Sequence, residues 1–206
     1  MKKVALLLAG LALALPAQAD LHGNIKYLQA IEKKSTLCSY PETNLFYTAG
    51  KIDGYTYLDV YNVDVYSDGS YYGRTSLTRE LVPYLCAKVE GEHDSKPLTD
   101  AGVGVTGKYA YGTGDASMSL MPYYLGEHGH VGKKVLLQFT YDQRLPFGFA
   151  FSTFGEWNVK TKQWGYGEAE LSRRFGMLGV GINAALLNKA NLVPDKELRA
   201  VLSLNF

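Results

Sequence analysis

The chain has 206 residues, with 21 basic against 20 acidic side chains and four histidines. So even a balance excludes a nucleic-acid binder driven by a strong positive field, and no polybasic run points to lipid phosphates. Beyond the first twenty positions no apolar run approaches the ~20 residues of a membrane-crossing helix, which excludes a helical membrane protein.

The opening stretch MKKVALLLAGLALALPAQAD carries two lysines, an apolar run from Val4 to Leu15, and Ala-Gln-Ala before Asp20. That layout predicts a secretory signal peptide over residues 1–19, cleaved after Ala19, leaving residues 20–206 as a single domain. Without Lys2 and Lys3 the 21 basic residues become 19 against 20 acidic ones, a net charge of −1. Mean hydropathy is slightly negative, as in a soluble protein. A membrane β-barrel, apolar only at alternate positions, averages the same way. The sixteen tyrosines separate the two cases. They exceed the needs of a soluble domain and match the aromatic girdles that sit at both membrane interfaces. A secreted β-sandwich with tyrosines on its strands is the competing reading.

Period-2 segments run from end to end, with turn chemistry between them. Strand one is predicted over Gly23 to Ala30, and strand two over Leu45 to Lys51, after a loop CSYPE. Strand three runs from Tyr55 to Tyr66, with Asp53-Gly54 as the hairpin signal before it. SDGS then leads into strand four, Tyr72 to Leu81, which Pro83 ends. Strand five covers Leu85 to His93, and DSKPLTD reads as a loop. Strand six, Gly102 to Tyr111, puts Val103, Val105, Tyr109 and Tyr111 on one face. GTGD precedes strand seven, Ala116 to Leu125, and GEHGHVGK is a polar loop. Strand eight, Lys134 to Arg144, alternates most clearly, with Val135, Leu137, Phe139 and Tyr141 opposite Gln138, Thr140, Asp142 and Arg144. LPFG leads to strand nine, Gly148 to Asn158, and VKTKQ to strand ten, Trp164 to Arg174. After FGM comes strand eleven, Leu178 to Leu187. NKANLVPD then introduces the last strand, RAVLSLNF, whose Ala200, Leu202, Leu204 and Phe206 share a face that only Val201 disturbs.

The fold class is therefore all-β: a transmembrane antiparallel barrel of twelve strands, an even number as closure of a single antiparallel chain requires. Connections alternate between longer polar ones and short ones. This asymmetry is that of outer-membrane barrels with extracellular loops and periplasmic turns. The greasy last strand closes the wall against lipid, and its final Phe resembles the sorting signature of such proteins. The localisation is the bacterial outer membrane.

Twelve strands enclose more than the filled core of an eight-stranded barrel and less than the channel of a 16-stranded porin. Charges on the lipid side are costly, so strand charges are expected to point inward. The predicted lumen and solute path comprises Asp59, Gln138, Asp142, Arg144, Phe154, Glu156, Tyr166, Glu168, Glu170, Arg174, Glu197 and Arg199. Arg74, Glu80 and Lys108 join Asp59 as positions whose register a bulge would reverse. Such charges either pair across the lumen and hold the barrel together, or form a track for a polar solute with a ring.

Cys38 and Cys86 belong to a chain bound for an oxidising compartment, where a disulfide is the default. The topology puts them a membrane thickness apart, while a bridge needs α-carbons within about 7 Å. Either they are free or the strand count before Cys86 is wrong. EHGHVG holds two histidines with no third ligand, which reads as a solvated loop; neither a metal nor a cofactor is expected. Ser95, beside His93 and Asp94, supplies the residue types of an outer-membrane lipid hydrolase without the geometry.

The stretches YTYLDVYNVDVY, RTSLTREL, KVLLQFTYDQRLPFGFAFSTFGEWNV, WGYGEAELSRRFG and LRAVLSLNF resemble the nucleoside-specific outer-membrane channel (Tsx-type) family and its shorter relatives. The resemblance implies a monomeric twelve-stranded barrel. It also implies passive, selective uptake of nucleosides or similar solutes, with no chemistry performed. The expected partners are outer-membrane lipid and a small polar solute. A plugged structural or surface-binding barrel and a lipid-modifying enzyme are the alternatives.

Overall fold

The computed structural model describes residues 20–31, 39–60, 71–94, 96–125, 135–187 and 196–206. The expected signal peptide, Cys38 and the histidines of EHGHVG lie outside them. Twelve strands follow one another: β1 Asp20–Ala30, β2 Ser39–Ala49, β3 Ile52–Val60, β4 Tyr71–Val82, β5 Leu85–Asp94, β6 Lys96–Tyr111, β7 Gly114–Leu125, β8 Leu136–Arg144, β9 Phe149–Asn158, β10 Gln163–Phe175, β11 Leu178–Leu187 and β12 Lys196–Asn205. A single 3-10 turn, Pro146–Gly148, precedes β9. Each strand is antiparallel to its neighbours in sequence, and β1 pairs with β12 to close the barrel. The closure ladder runs from Asn24 opposite Asn205 to Ala30 opposite Arg199. Beyond it Gly23 and Phe206 exchange both backbone bonds, at 3.0 and 3.1 Å.

Closure is forced by the solvent. Hydrocarbon offers no partner to a backbone N–H or C=O, so a sheet in a bilayer cannot keep an edge. The outward face is apolar: Ile25, Leu77, Val89, Val103, Val105, Met118, Leu120, Leu171, Val180, Ile182 and Leu202 are all exposed. Two aromatic girdles bound this belt. Tyr109, Tyr111, Tyr141 and Phe151 touch in series near the short turns. Phe139, Trp157 and Trp164 cluster on β8 to β10 towards the other end. A closed, apolar-belted barrel of twelve strands is an outer-membrane barrel. The connections β2–β3, β4–β5, β6–β7, β8–β9 and β10–β11 are short, and their end is the periplasmic one in such barrels.

Three expectations are corrected. Asp53-Gly54 is not the hairpin turn. The chain reverses at Gly50 and Lys51, where Gly50 has φ +61°, and Asp53 and Gly54 lie inside β3. A glycine sits there because the ring of Tyr47, directly opposite on β2, lies across it where a Cβ would be. This is the aromatic covering of a strand glycine. Second, most of the CSYPE loop is strand: β2 begins at Ser39, and Pro41 stands opposite Tyr27 of β1. Third, most of DSKPLTD is strand as well. β5 and β6 continue as one hairpin, with Asp94 opposite Lys96 and a register shift below them. Strand three is described to Val60; the remainder predicted for it lies outside the described residues.

Filling the space over residue 54 should destabilise the wall. Gly54→Val is expected to cost about 1–3 kcal/mol, as overpacking does. The check is the urea midpoint of the barrel folded into lipid vesicles, followed by its heat-modifiable gel mobility. Because the Tyr47 ring is what the valine meets, adding Tyr47→Ala should cost less than the sum of the two single changes.

Candidate functional site

Among the described residues the extended polar surface of the wall is its interior, and register decides what enters it. With Arg74 opposite Tyr57 and Glu92, Glu156 opposite Gln138, and Glu168 opposite Phe154, alternate residues of every strand face the lumen. Asp59, Gln138, Asp142, Phe154, Glu156, Tyr166, Glu168, Glu170, Glu197 and Arg199 all lie on this inner face. Arg144 and Arg174 lie on it too, but exposed at the short-turn mouth. Arg74 and Lys108 also point inward. Glu80 shares their face by register and is exposed at the rim.

Towards the long-loop end the lumen is crossed by side chains from opposite walls. Arg74 on β4 reaches Glu156 on β9 at 3.0 Å and also contacts Glu90 and Glu92 on β5. Its guanidinium lies 5.7 Å from the centre of the Phe154 ring. Gln138 Nε2 donates to Glu90 at 2.8 Å and to Glu156 at 3.2 Å. The Gln138 carbonyl oxygen accepts from Lys88 Nζ at 2.6 Å, and Lys88 pairs with Glu90 at 2.9 Å. A second bridge joins Lys26 on β1 to Glu170 on β10 at 2.8 Å and to Glu42 at 3.4 Å. Arg199 pairs with Glu197 at 2.6 Å and stacks on Tyr40. Tyr166 and Asn183 both donate to Glu168, at 2.8 and 3.3 Å. Arg74 and Gln138 are only 6% and 2% exposed, so the two walls meet here with little room between them.

Some inward positions are apolar. Val201, the residue that disturbs the last strand, packs on Leu28 and Tyr40, and Met121 packs on Leu136. An aromatic series, His22, Phe46, Tyr55, Tyr57 and Tyr72, follows the inner wall of β1 to β4 with centroid spacings of 4.8 to 5.9 Å. At the short-turn mouth the packing loosens. Lys108 and Asp53 pair at 2.6 Å while half open to solvent. A cavity of about 320 Å³ opens between Gly112, Thr113, Gly114, Asp115 and Arg144.

Sequence reasoning missed Lys26, Glu42, Lys88, Glu90 and Glu92. Starting β2 at Leu45 removed Glu42 from the wall. The other four stand in segments read as strands, and the rule that strand charges point inward would have found them. Cys86 is buried on the inner face near the short-turn end, opposite Glu80 and Thr106. Among the described residues it has no disulfide partner. For the hydrolase alternative, His93 and Asp94 end β5 and Ser95 lies outside the described residues; His22 stacks on Phe46 at 5.3 Å.

No family model matches the chain, and no curated protein does. Solved structures do. The chain is similar to a KdgM porin with TM-score 0.57, 8% identity, and coverage of 90% of this chain and 99% of that one. It is similar to a NanC porin with TM-score 0.56, 10% identity, and coverage of 91% and 99%. The outer membrane phospholipase A of Escherichia coli gives TM-score 0.54, 11% identity, and coverage of 94% and 93%. At such identities the likeness establishes the outer-membrane barrel and nothing about solute or reaction.

The pairs at the two levels should differ in weight. Arg74→Met leaves Glu90, Glu92 and Glu156 facing one another in a buried site and is expected to cost about 3–5 kcal/mol. Lys108→Met, at a pair open to solvent, should cost about 1 kcal/mol or less. Urea unfolding of both variants in lipid vesicles measures the contrast. Equal losses would mean that burial does not set the strength of these pairs.

Proposed function

We propose that the protein is a narrow passive channel of the outer membrane for small polar solutes, neutral or cationic, and that it performs no chemistry. The observation that carries this reading is the character of the inner face. Among the described residues it is mostly polar, and its carboxylates outnumber its cations. Asp20, Glu42, Asp53, Asp59, Glu80, Glu90, Glu92, Asp100, Asp115, Asp142, Glu156, Glu168, Glu170 and Glu197 stand against Lys26, Arg74, Lys88, Lys108, Arg144, Arg174 and Arg199. A low-dielectric wall focuses that excess negative potential into the lumen, favouring cations over anions. One of the solved porin structures is described as a complex with oligogalacturonate, a polyanion. An acidic lumen is ill suited to such a solute, so that ligand does not carry over. Phe154, Tyr166 and the tyrosines of β3 and β4 offer faces to a ring-bearing solute, and nucleosides are the natural neutral probes of that kind. In this reading Arg74, Glu156 and Gln138 form the constriction, and Phe154, Tyr166, Glu168 and Glu170 line the path beside it.

A second reading is favoured by one specific observation: the ion pairs that join opposite walls. A barrel held shut by them would be a structural or surface-binding protein.

Planar-bilayer recording of the folded mature protein separates the two. The channel reading expects discrete openings, a reversal potential on the cation side in a salt gradient, and partial block by nucleosides. Glu168→Gln and Glu170→Gln should each move the reversal potential towards zero. Openings without anion exclusion would reject the charge argument, openings blind to nucleosides would reject that solute class, and a silent, well-folded barrel would support the closed one.

A further inference from the structure

A few charges among the described residues face outward, Arg79, Arg173 and Lys196, and of these Arg173 stands beside two aromatic rings. In the last part of β10, Glu168, Glu170 and Ser172 face the lumen, so Ala169, Leu171, Arg173 and Phe175 face lipid. Arg173 stands opposite Phe149 on β9 and Val180 on β11, and its guanidinium lies 5.2 Å from the Phe149 ring centre and 5.0 Å from that of Phe175. Leu171, Leu178 and Val180 around it are exposed and apolar. Among the described residues no carboxylate pairs with it. An arginine on the lipid face is costly unless it reaches the headgroup layer.

Arg173 can reach it. It lies three positions before the turn at Gly176, which is roughly 10 Å along the strand at ~3.4 Å per residue, and less along the membrane normal once the strand tilts. The adjoining 3-10 turn carries Phe147, 85% exposed, at the same rim. Phe149 and Phe175 flank the guanidinium with ring surfaces that take none of its N–H hydrogen bonds as a carboxylate would. A planar fork of donors near headgroup depth, with no carboxylate partner among the described residues and apolar side chains around it, matches one chemistry: a phosphate oxygen pair with acyl chains below it.

We infer that Arg173, flanked by Phe149 and Phe175, is a binding site for the phosphate of a phospholipid in the periplasmic leaflet of the outer membrane. The site lies on the outside of the barrel and is independent of whether the lumen conducts. Its role is to fix one lipid, and with it the depth of the β9–β11 segment, at the inner interface.

Native mass spectrometry of the folded full-length mature protein, released from detergent with added phosphatidylglycerol, tests this. Wild type should retain one lipid, and Arg173→Gln should retain it about tenfold less, the scale of a lost charge-assisted hydrogen-bond pair. Diacylglycerol of the same chains should not be retained, and excess inorganic phosphate should not displace the lipid. Arg79→Gln, which removes another outward arginine, should leave retention unchanged. The inference is overturned if Arg173→Gln retains lipid like wild type, or if diacylglycerol binds as well as the phospholipid. Displacement by inorganic phosphate, or an equal loss in Arg79→Gln, overturns it too. Gel mobility of each variant before and after heating confirms that the barrel has folded.

Discussion

The bilayer interior supplies no hydrogen bonds, and the rest of this structure follows from that. The wall must pair every backbone group within itself, so β12 has to return to β1, and the Gly23–Phe206 exchange extends the seam past the last rung of the ladder. Once the wall is closed, each strand has one face in hydrocarbon and one in the lumen. Charged side chains are driven to the second, and among the described residues most are found there. Arg173 is an instructive exception, since its place near the rim and beside two rings makes an outward charge tolerable.

The inward charges then create their own constraint. A twelve-stranded lumen is too narrow for carboxylates and cations to keep full hydration, and an unpaired ion in such a space is expensive. They therefore meet across it. Arg74 gathers three carboxylates from β5 and β9, and Lys26 joins β1 to β10. Arg74–Glu156, Gln138–Glu90, Gln138–Lys88 and Lys26–Glu170 join strands that are not neighbours in the wall, so the network braces the barrel against ovalisation while narrowing it. The looser mouth near Asp115 and Arg144 has fewer such contacts and holds the cavity. The residues that brace the barrel are thus the ones that narrow its lumen.

The same scaffold serves porins and a phospholipase among the solved structures. A barrel of this size fixes a radius and a pair of rims, and function is added by the side chains on the inner face or the rims. Here the described residues of the inner face are acidic in excess, a property of this chain's own residues that the fold does not dictate.

The sequence by itself determined the architecture. Period-2 alternation, clearest in Leu136–Arg144 and in Lys196–Asn205, marked the strands, their number and the inner face of each, because a pleated strand in a bilayer has no other way to sort apolar from polar residues. It misread places where a local signal competes with a partner strand. Asp53-Gly54 has the chemistry of a turn, yet it lies in a strand because the Tyr47 ring covers it. Pro41 and the start of β6 look like loop until the neighbouring strand pairs with them. Which charges meet was decided by tertiary structure alone. Arg74 and Glu156 are 82 positions apart by number and touch only because the closed wall curves β4 and β9 towards each other. Alternation says that a residue points inward; only the radius and shear of the finished barrel say what it finds there.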